Sequence, residues 1–184
     1  MITVDIDEVG RGSWAGPVVA GAVVLRKSIA GLTDSKLLTK TKRRRLNGQI
    51  IDVALAYGIG WVEPAEVDNI GLTQAVGLAM QRALEQITIN YDEIIIDGNY
   101  NFMPGNPKAR TLIKADLTEP SVSAASIIAK VARDDYMAEQ GKLFPAYGFE
   151  NHVGYGTKQH LAALIEHGIC EHHRLSYKPI QALL

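Results

Sequence analysis

Ile94, Ile95 and Ile96 stand in unbroken succession between Glu93 and Asp97. Successive side chains of a strand point to opposite faces of its sheet, so a strand built of three isoleucines needs apolar cover on both sides. That excludes a sheet with one wet face and leaves a central strand between two layers of helix. The rest of the chain supplies the layers. Ile2, Val4 and Ile6 alternate with Thr3, Asp5 and Asp7, the period of a strand with one face covered. Residues 17–25, PVVAGAVVL, read as a second strand, and the short glycine-containing link pairs the two as antiparallel neighbours. Residues 39–57 are expected to be helical, with Thr39 as N-cap and Leu46, Ile50, Val53 and Ala54 on one face; residues 57–62 return to strand. Pro64 opens a short helical turn, and residues 72–87 form an amphipathic helix. Residues 109–116 make a shorter strand closed by Asp116, residues 121–144 an alanine-rich buried helix, and residues 157–168 a last helix ended by Gly168. The expected fold class is α/β, with a mixed central sheet and helices on both faces.

At 184 residues and 47% hydrophobic, the chain suits one well-buried core, and a single domain over residues 1–184 is expected. Cys170 is the one cysteine, which excludes an internal disulfide. The apolar runs stop short of the roughly 20 residues that span a bilayer. With no targeting signal at the N-terminus, a cytoplasmic location and no membrane partner are expected. A net charge of −1 does not mark a nucleic-acid binder. Yet Lys36, Lys40, Lys42, Arg43, Arg44 and Arg45 fall within ten positions. They read either as a basic patch or as the solvated start of a helix.

Four acids fall at strand ends or just beyond: Asp7, Glu8, Asp97 and Asp116. In open α/β sheets ligands bind in the crevice past the strand ends, where carboxylates from distant parts of the chain can meet. Clustered carboxylates repel and raise one another's pKa unless a cation sits among them. Oxygen donors without cysteine or neighbouring histidine suit Mg²⁺ or Mn²⁺ rather than Zn²⁺, which points to phosphoryl transfer or phosphodiester hydrolysis. Asp7 and Glu8 are adjacent, so they share a site only if the strand ends or bulges there. Gly10 and Gly12 allow backbone conformations closed to other residues and leave the main chain bare for a phosphate or sugar. Arg11 between them either reaches a phosphate or packs back on the protein.

Other motifs fail. The segment GRGSWAG resembles a dinucleotide-binding loop, but Gly16 comes one residue late and Pro17 opens a strand where a helix is needed. Cys170, His172 and His173 match no standard zinc spacing. Trp14 and Trp61 read as core residues, and Tyr177 carries no assignment.

DEVGRG (7–12), DSK (34–36), IDGN (96–99), KAD (114–116), SAASIIAKVARD (123–134), GYGT (154–157) and HRLSY (173–177) occur in an order that resembles the bacterial ribonuclease HII family. The resemblance implies the ribonuclease H-like fold, a mixed five-stranded sheet flanked by helices, with a C-terminal helical segment. It implies a divalent-metal endonuclease, using Mg²⁺ or Mn²⁺, that cuts RNA in RNA/DNA hybrids. It further implies nicking of duplex DNA 5′ of a single embedded ribonucleotide, leaving 3′-hydroxyl and 5′-phosphate ends; a monomer is expected. The family's four acids fall on Asp7, Glu8, Asp97 and Asp116, with Asp134 an alternative to the last. Its Gly-Arg-Gly, which contacts the ribose 2′-hydroxyl, falls on Gly10, Arg11 and Gly12, and its substrate-reading tyrosine on Tyr155. Lys36, Ser123 and Ser126 bind backbone phosphates by the same resemblance, or, for the serines, merely pack. Val9, Ala115 and Val153 depart from residues common in the family. Arg11, where the related ribonuclease HIII enzymes carry Gly-Lys-Gly, favours HII. Two other readings are another metal nuclease of this fold, without use for Tyr155 and the Gly-Arg-Gly, and a silent hybrid-binding module, against which the four acids weigh.

Overall fold

The computed structural model describes residues 1–27, 29–33, 35–113 and 120–184. Its five strands are β1 (Thr3–Val9), β2 (Val18–Leu25), β3 (Ala54–Val62), β4 (Glu93–Asp97) and β5 (Ala109–Leu112), arranged in the order β3-β2-β1-β4-β5. β1 pairs antiparallel with β2 and parallel with β4, and β4 pairs parallel with β5, so the sheet is mixed as expected. Its helices are α1 (Lys40–Val53), α2 (Pro64–Ile70), α3 (Leu72–Leu84), α4 (Pro120–Leu143), α5 (Phe149–His152), α6 (Lys158–His167) and α7 (Lys178–Gln181). None among the described residues is long and apolar enough to cross a membrane.

The isoleucine run behaves as its sequence requires. Ile94 and Ile96 enter a core with α3, beside Val76, Ala79 and Met80, while Ile95 faces the opposite side and meets Val122 of α4. Glycines set how closely the layers approach. A Cβ at Gly60 of β3 would strike the Ala79 carbonyl of α3, and one at Gly21 of β2 would strike the Ala125 carbonyl of α4.

Three expectations need correction. β1 is covered on both faces, because α4 lies over the side that Asp5 occupies and leaves it only 2% exposed. Ala54 to Tyr57 are strand, not the end of a helix. They pair with Val23, Val24 and Leu25 of β2, and cross-strand hydrogen bonding overrides a helical spacing that alanine and leucine satisfy equally well. The helix expected over 72–87 stops at Leu84, and Ile87 turns into the core. Thr39 caps α1 by accepting from the Lys42 N–H, and Gly168 ends α6 by donating to the Leu164 carbonyl, as read; Thr157 adds an N-cap by accepting from the His160 N–H.

Candidate active site

Pairing between β1 and β4 ends at Ile6 and Ile96, whereas β1 continues beside β2 to Val9. The last residues of β1 therefore project past the end of β4 with one edge free. That free edge, not a bulge, is how adjacent Asp7 and Glu8 both reach one place. They line a cavity of about 530 Å³ with Asp97, Arg11, Ser35, Lys36, Ser126, Lys130 and Tyr155.

The carboxylates there are held at a cost. Burial pushes the Asp7 pKa up to about 8, helped by the charges of Glu8 and Asp97 and opposed by hydrogen bonds from Ser126 and the Glu8 N–H. Burial also raises that of Glu8, against the pull of Arg11. Arg11 Nη1 lies 3.2 Å from Glu8 Oε1, and its guanidinium sits 5.3 Å from the centre of the Phe102 ring. Arg11 thus packs back on the protein while remaining half exposed over the cavity. An oxygen-only set of this kind, with one member so displaced toward protonation, fits a hard divalent cation as its missing neighbour. No ready-made cage of three or more ligating side chains exists among the described residues. Asp116, with Lys114 and Ala115, lies outside the described residues, as does Asp34. The alternative fourth acid, Asp134, is engaged elsewhere: Lys130 Nζ lies 2.6 Å from it and Arg43 Nη1 3.4 Å.

Within the basic cluster Arg43 and Arg44 take structural roles, Lys36 reaches the cavity, and Lys40, Lys42 and Arg45 are exposed on the first turns of α1. Arg43 donates to the carbonyls of Ser35 and Leu38, and Arg44 pairs with Asp135 on α4. This anchors the 3₁₀ turn Ser35–Leu37 and brings exposed Lys36 to the cavity mouth. Ser35 and Ser126 hydroxyls lie 2.9 Å apart, and either can donate. Ser123, one turn earlier on α4, is buried at 1% exposure and does not line the cavity.

Of the two glycines, only Gly10 has positive φ, at 88°, and a Cβ there would strike the Arg133 side chain. Gly12 has nothing within 4 Å of a built Cβ, so its contribution is bare backbone, not unusual conformation. Two fully buried arginines that sequence reading passed over hold this loop. Arg133 donates to the carbonyls of Ala15, Pro17 and Val153, and Arg174 to those of Gly16 and Arg11. Tyr177 also finds its role here, donating its hydroxyl to the Arg11 carbonyl. Lys130 was legible as well, since it follows Ser126 by four residues on one helix and so shares its face. Tyr155 comes from the loop before α6, its ring 5.7 Å from the Arg133 guanidinium and 5.9 Å from Lys130 Nζ. Trp14 and Trp61 are half buried, against His160 and Tyr136.

The sequence model of ribonuclease HII matches residues 4–180. The chain belongs to the ribonuclease HII family. It is 47% identical over 182 residues to the ribonuclease HII of Burkholderia mallei, covering 98% of this chain and 85% of that one. The ribonuclease H2 of Pyrococcus horikoshii OT3 superposes with a TM-score of 0.87 at 26% identity, covering 100% of this chain and 97% of that one. Bst ribonuclease HIII, solved in complex with Mn²⁺, shares the fold with a TM-score of 0.75 at 18% identity, over 100% of this chain and 69% of that one. Membership of the ribonuclease HII family makes the chain an endoribonuclease of ribonuclease H type, a hydrolase of RNA paired with DNA.

Proposed function

We propose that the cavity at the end of β1 and β4 hydrolyses phosphodiesters both in RNA/DNA hybrids and on the 5′ side of a lone ribonucleotide within duplex DNA, leaving 3′-hydroxyl and 5′-phosphate ends. The carrying observation is the convergence of Asp7, Glu8 and Asp97 on one cavity, with Asp7 pushed up to about 8. These three, with Asp116, are the residues that would hold two divalent ions, Mg²⁺ or Mn²⁺. Bound there, such ions would supply a lowered pKa for an attacking water and positive charge to offset that of the leaving 3′ oxygen.

The chain's own groups do the placing. The main chain of Gly10, Arg11 and Gly12 is assigned to the ribose 2′-hydroxyl, a reading supported by the Arg11 side chain at the cavity beside Glu8 and by the exposed backbone of Gly12. The 2′-hydroxyl is what separates RNA from DNA at such a site. Tyr155, braced by Arg133, closes the opposite wall against the sugar. Lys36 and Lys130 at the rim, with Ser126 deeper in, meet backbone phosphates as charge and hydrogen-bond donors. Ser123, buried one turn earlier on α4, supports this surface from beneath.

A single assay tests the reading: an end-labelled duplex with one embedded ribonucleotide, an RNA/DNA hybrid and an all-DNA duplex, each with Mg²⁺, Mn²⁺ or chelator. Cleavage of the first two only, abolished by chelator, is expected. Equal cutting of the all-DNA duplex sinks it.

A further inference from the structure

Behind Tyr155 lies a group of histidines with no part in the chemistry described so far. His160 on α6 places Nδ1 3.0 Å from the Tyr155 carbonyl and Nε2 3.0 Å from His173 Nε2. His173 Nδ1 in turn lies 3.0 Å from the Cys170 main-chain nitrogen, 3.1 Å from its carbonyl oxygen and 3.2 Å from its Sγ. The Tyr155 carbonyl at one end and the contact between the rings fix the protons of a neutral pair. A carbonyl only accepts, so His160 carries its proton on Nδ1 and offers a bare Nε2. Two bare nitrogens 3.0 Å apart would repel, so a neutral His173 carries its proton on Nε2 and turns a bare Nδ1 to the Cys170 N–H. The contact between the rings is then a single hydrogen bond from His173 to His160. A further proton on His160 Nε2 breaks the link between the rings, and one on His173 Nδ1 exchanges the Cys170 N–H contact for one to the Cys170 carbonyl. His152 is fixed in the same manner, Nδ1 accepting from the Gly154 N–H and Nε2 lying 2.8 Å from the Tyr147 carbonyl, and it stacks on His160 with ring centres 4.4 Å apart.

We propose that His160, oriented by His173, is the positioning residue for Tyr155: a relay of two neutral imidazoles holds the main chain that aims the Tyr155 ring into the catalytic cavity. The proposal rests on the recognition role assigned to Tyr155 above. Burial holds both rings well below the ordinary histidine range, at about 4 each, in keeping with a site that excludes the extra proton. The groups facing the relay are His152 on α5, His172, Cys170 and Glu171 in the segment before His173, and Tyr147 ahead of α5. On the α4 side Arg133 adds positive charge near Tyr155, and Tyr136 and Phe144 face His172. Trp14 and Phe149 wall the relay with apolar surface, their ring centres 5.6 and 5.7 Å from that of His160. Glu171 is exposed and acts on His172 and Cys170, so no buried carboxylate among these groups favours a charged His160 or His173.

The test has a spectroscopic and a kinetic arm on the full chain. Imidazole ¹⁵N shifts should show His160 as the Nδ1–H and His173 as the Nε2–H tautomer, both neutral at pH 6 and titrating only below about pH 5. Opposite tautomers, or protonation near pH 6.5, overturn the relay. On an RNA/DNA hybrid with Mg²⁺ at pH 8, His160→Leu should lower kcat/KM roughly 10-fold. His160→Asn, which keeps an N–H beside the Tyr155 carbonyl, should recover most of that loss. In a Tyr155→Ala background His160→Leu should add less than about a further 2-fold, since it acts through the same group. Equal losses for Leu and Asn, or an undiminished loss in that background, overturn the positioning role. Full activity of Tyr155→Ala itself removes the recognition role, and the positioning role with it, even if the tautomers are as assigned. Should His160→Leu not fold, His160→Asn decides: a loss as large as that of Tyr155→Ala refutes the proposal.

Discussion

Asp97 closes β4 one residue past the last isoleucine, where the strand leaves the core and its side chain meets Asp7 across the cavity. Asp97→Asn keeps the size and removes the charge. Cleavage in saturating Mg²⁺ should disappear while hybrid affinity stays equal or rises, because one negative charge no longer repels the phosphates. Near-normal turnover would take Asp97 out of the site. Tyr155→Phe removes one hydroxyl and keeps the ring that Arg133 supports. If that hydroxyl meets the ribose or its phosphate, the change should cost about 1–3 kcal/mol of transition-state stabilisation, roughly 5- to 150-fold in rate. The defect should be larger on the lone-ribonucleotide duplex, which offers one 2′-hydroxyl, than on a hybrid that offers many. Initial rates for both duplexes, beside melting temperatures, read this directly, and equal rates for Tyr and Phe end the role.

Between elements, the two buried arginines join what the chain order separates. Arg133 reaches from α4 to the loop linking β1 and β2 and to Val153, just ahead of Tyr155, so one side chain braces both walls of the cavity. Arg133→Met fills much of the same volume but leaves three carbonyls without their donor. Unpaired buried acceptors cost on the order of 1–3 kcal/mol each when no water replaces the donor, so a loss of about 3–5 kcal/mol in urea unfolding is expected. Cleavage at a temperature where the variant is folded should fall as well, because the loop at Gly10 and the ring of Tyr155 lose a common support. A fall in stability with unchanged kcat/KM would confine Arg133 to the core.

For the whole molecule, the cost of gathering carboxylates appears as pH dependence. Asp7 is raised from 3.8 to about 8, so on unfolding it releases a proton throughout that interval. Its contribution to metal-free stability is therefore complete below pH 3.8 and is lost as pH rises through about 8. A cation that binds only the folded state relieves that loss. Millimolar Mg²⁺ or Mn²⁺ should raise the melting temperature more at pH 8.5 than at pH 6, and Asp7→Asn should remove most of the difference. An equal shift at both pH values, in wild type and variant alike, would place the bound ion elsewhere. His160 and His173 carry the opposite sign: lowered from 6.5 to about 4, they contribute stability that is full above pH 6.5 and is lost as pH falls through about 4.

The α/β class, the central β4 strand, the caps Thr39 and Gly168, and the acids Asp7, Glu8 and Asp97 were legible because each rests on local chemistry. Hydrophobic period, capping oxygens and charge at a strand end are properties of a few neighbouring residues. What sequence left open, or assigned otherwise, depended on residues far apart in the chain. Ala54 to Tyr57 became strand because β2 lay beside them with unpaired amides, and nothing in their own spacing announces that partner. Asp7 and Glu8 share a site because β4 ends at Asp97 and leaves the β1 edge free, a matter of register between strands some ninety residues apart. Arg133 and Arg174 look from sequence like ordinary surface cations. Burying a guanidinium is prohibitive unless carbonyls are already turned toward it, and only the folded loop after β1, joined to the loop before α6, presents them.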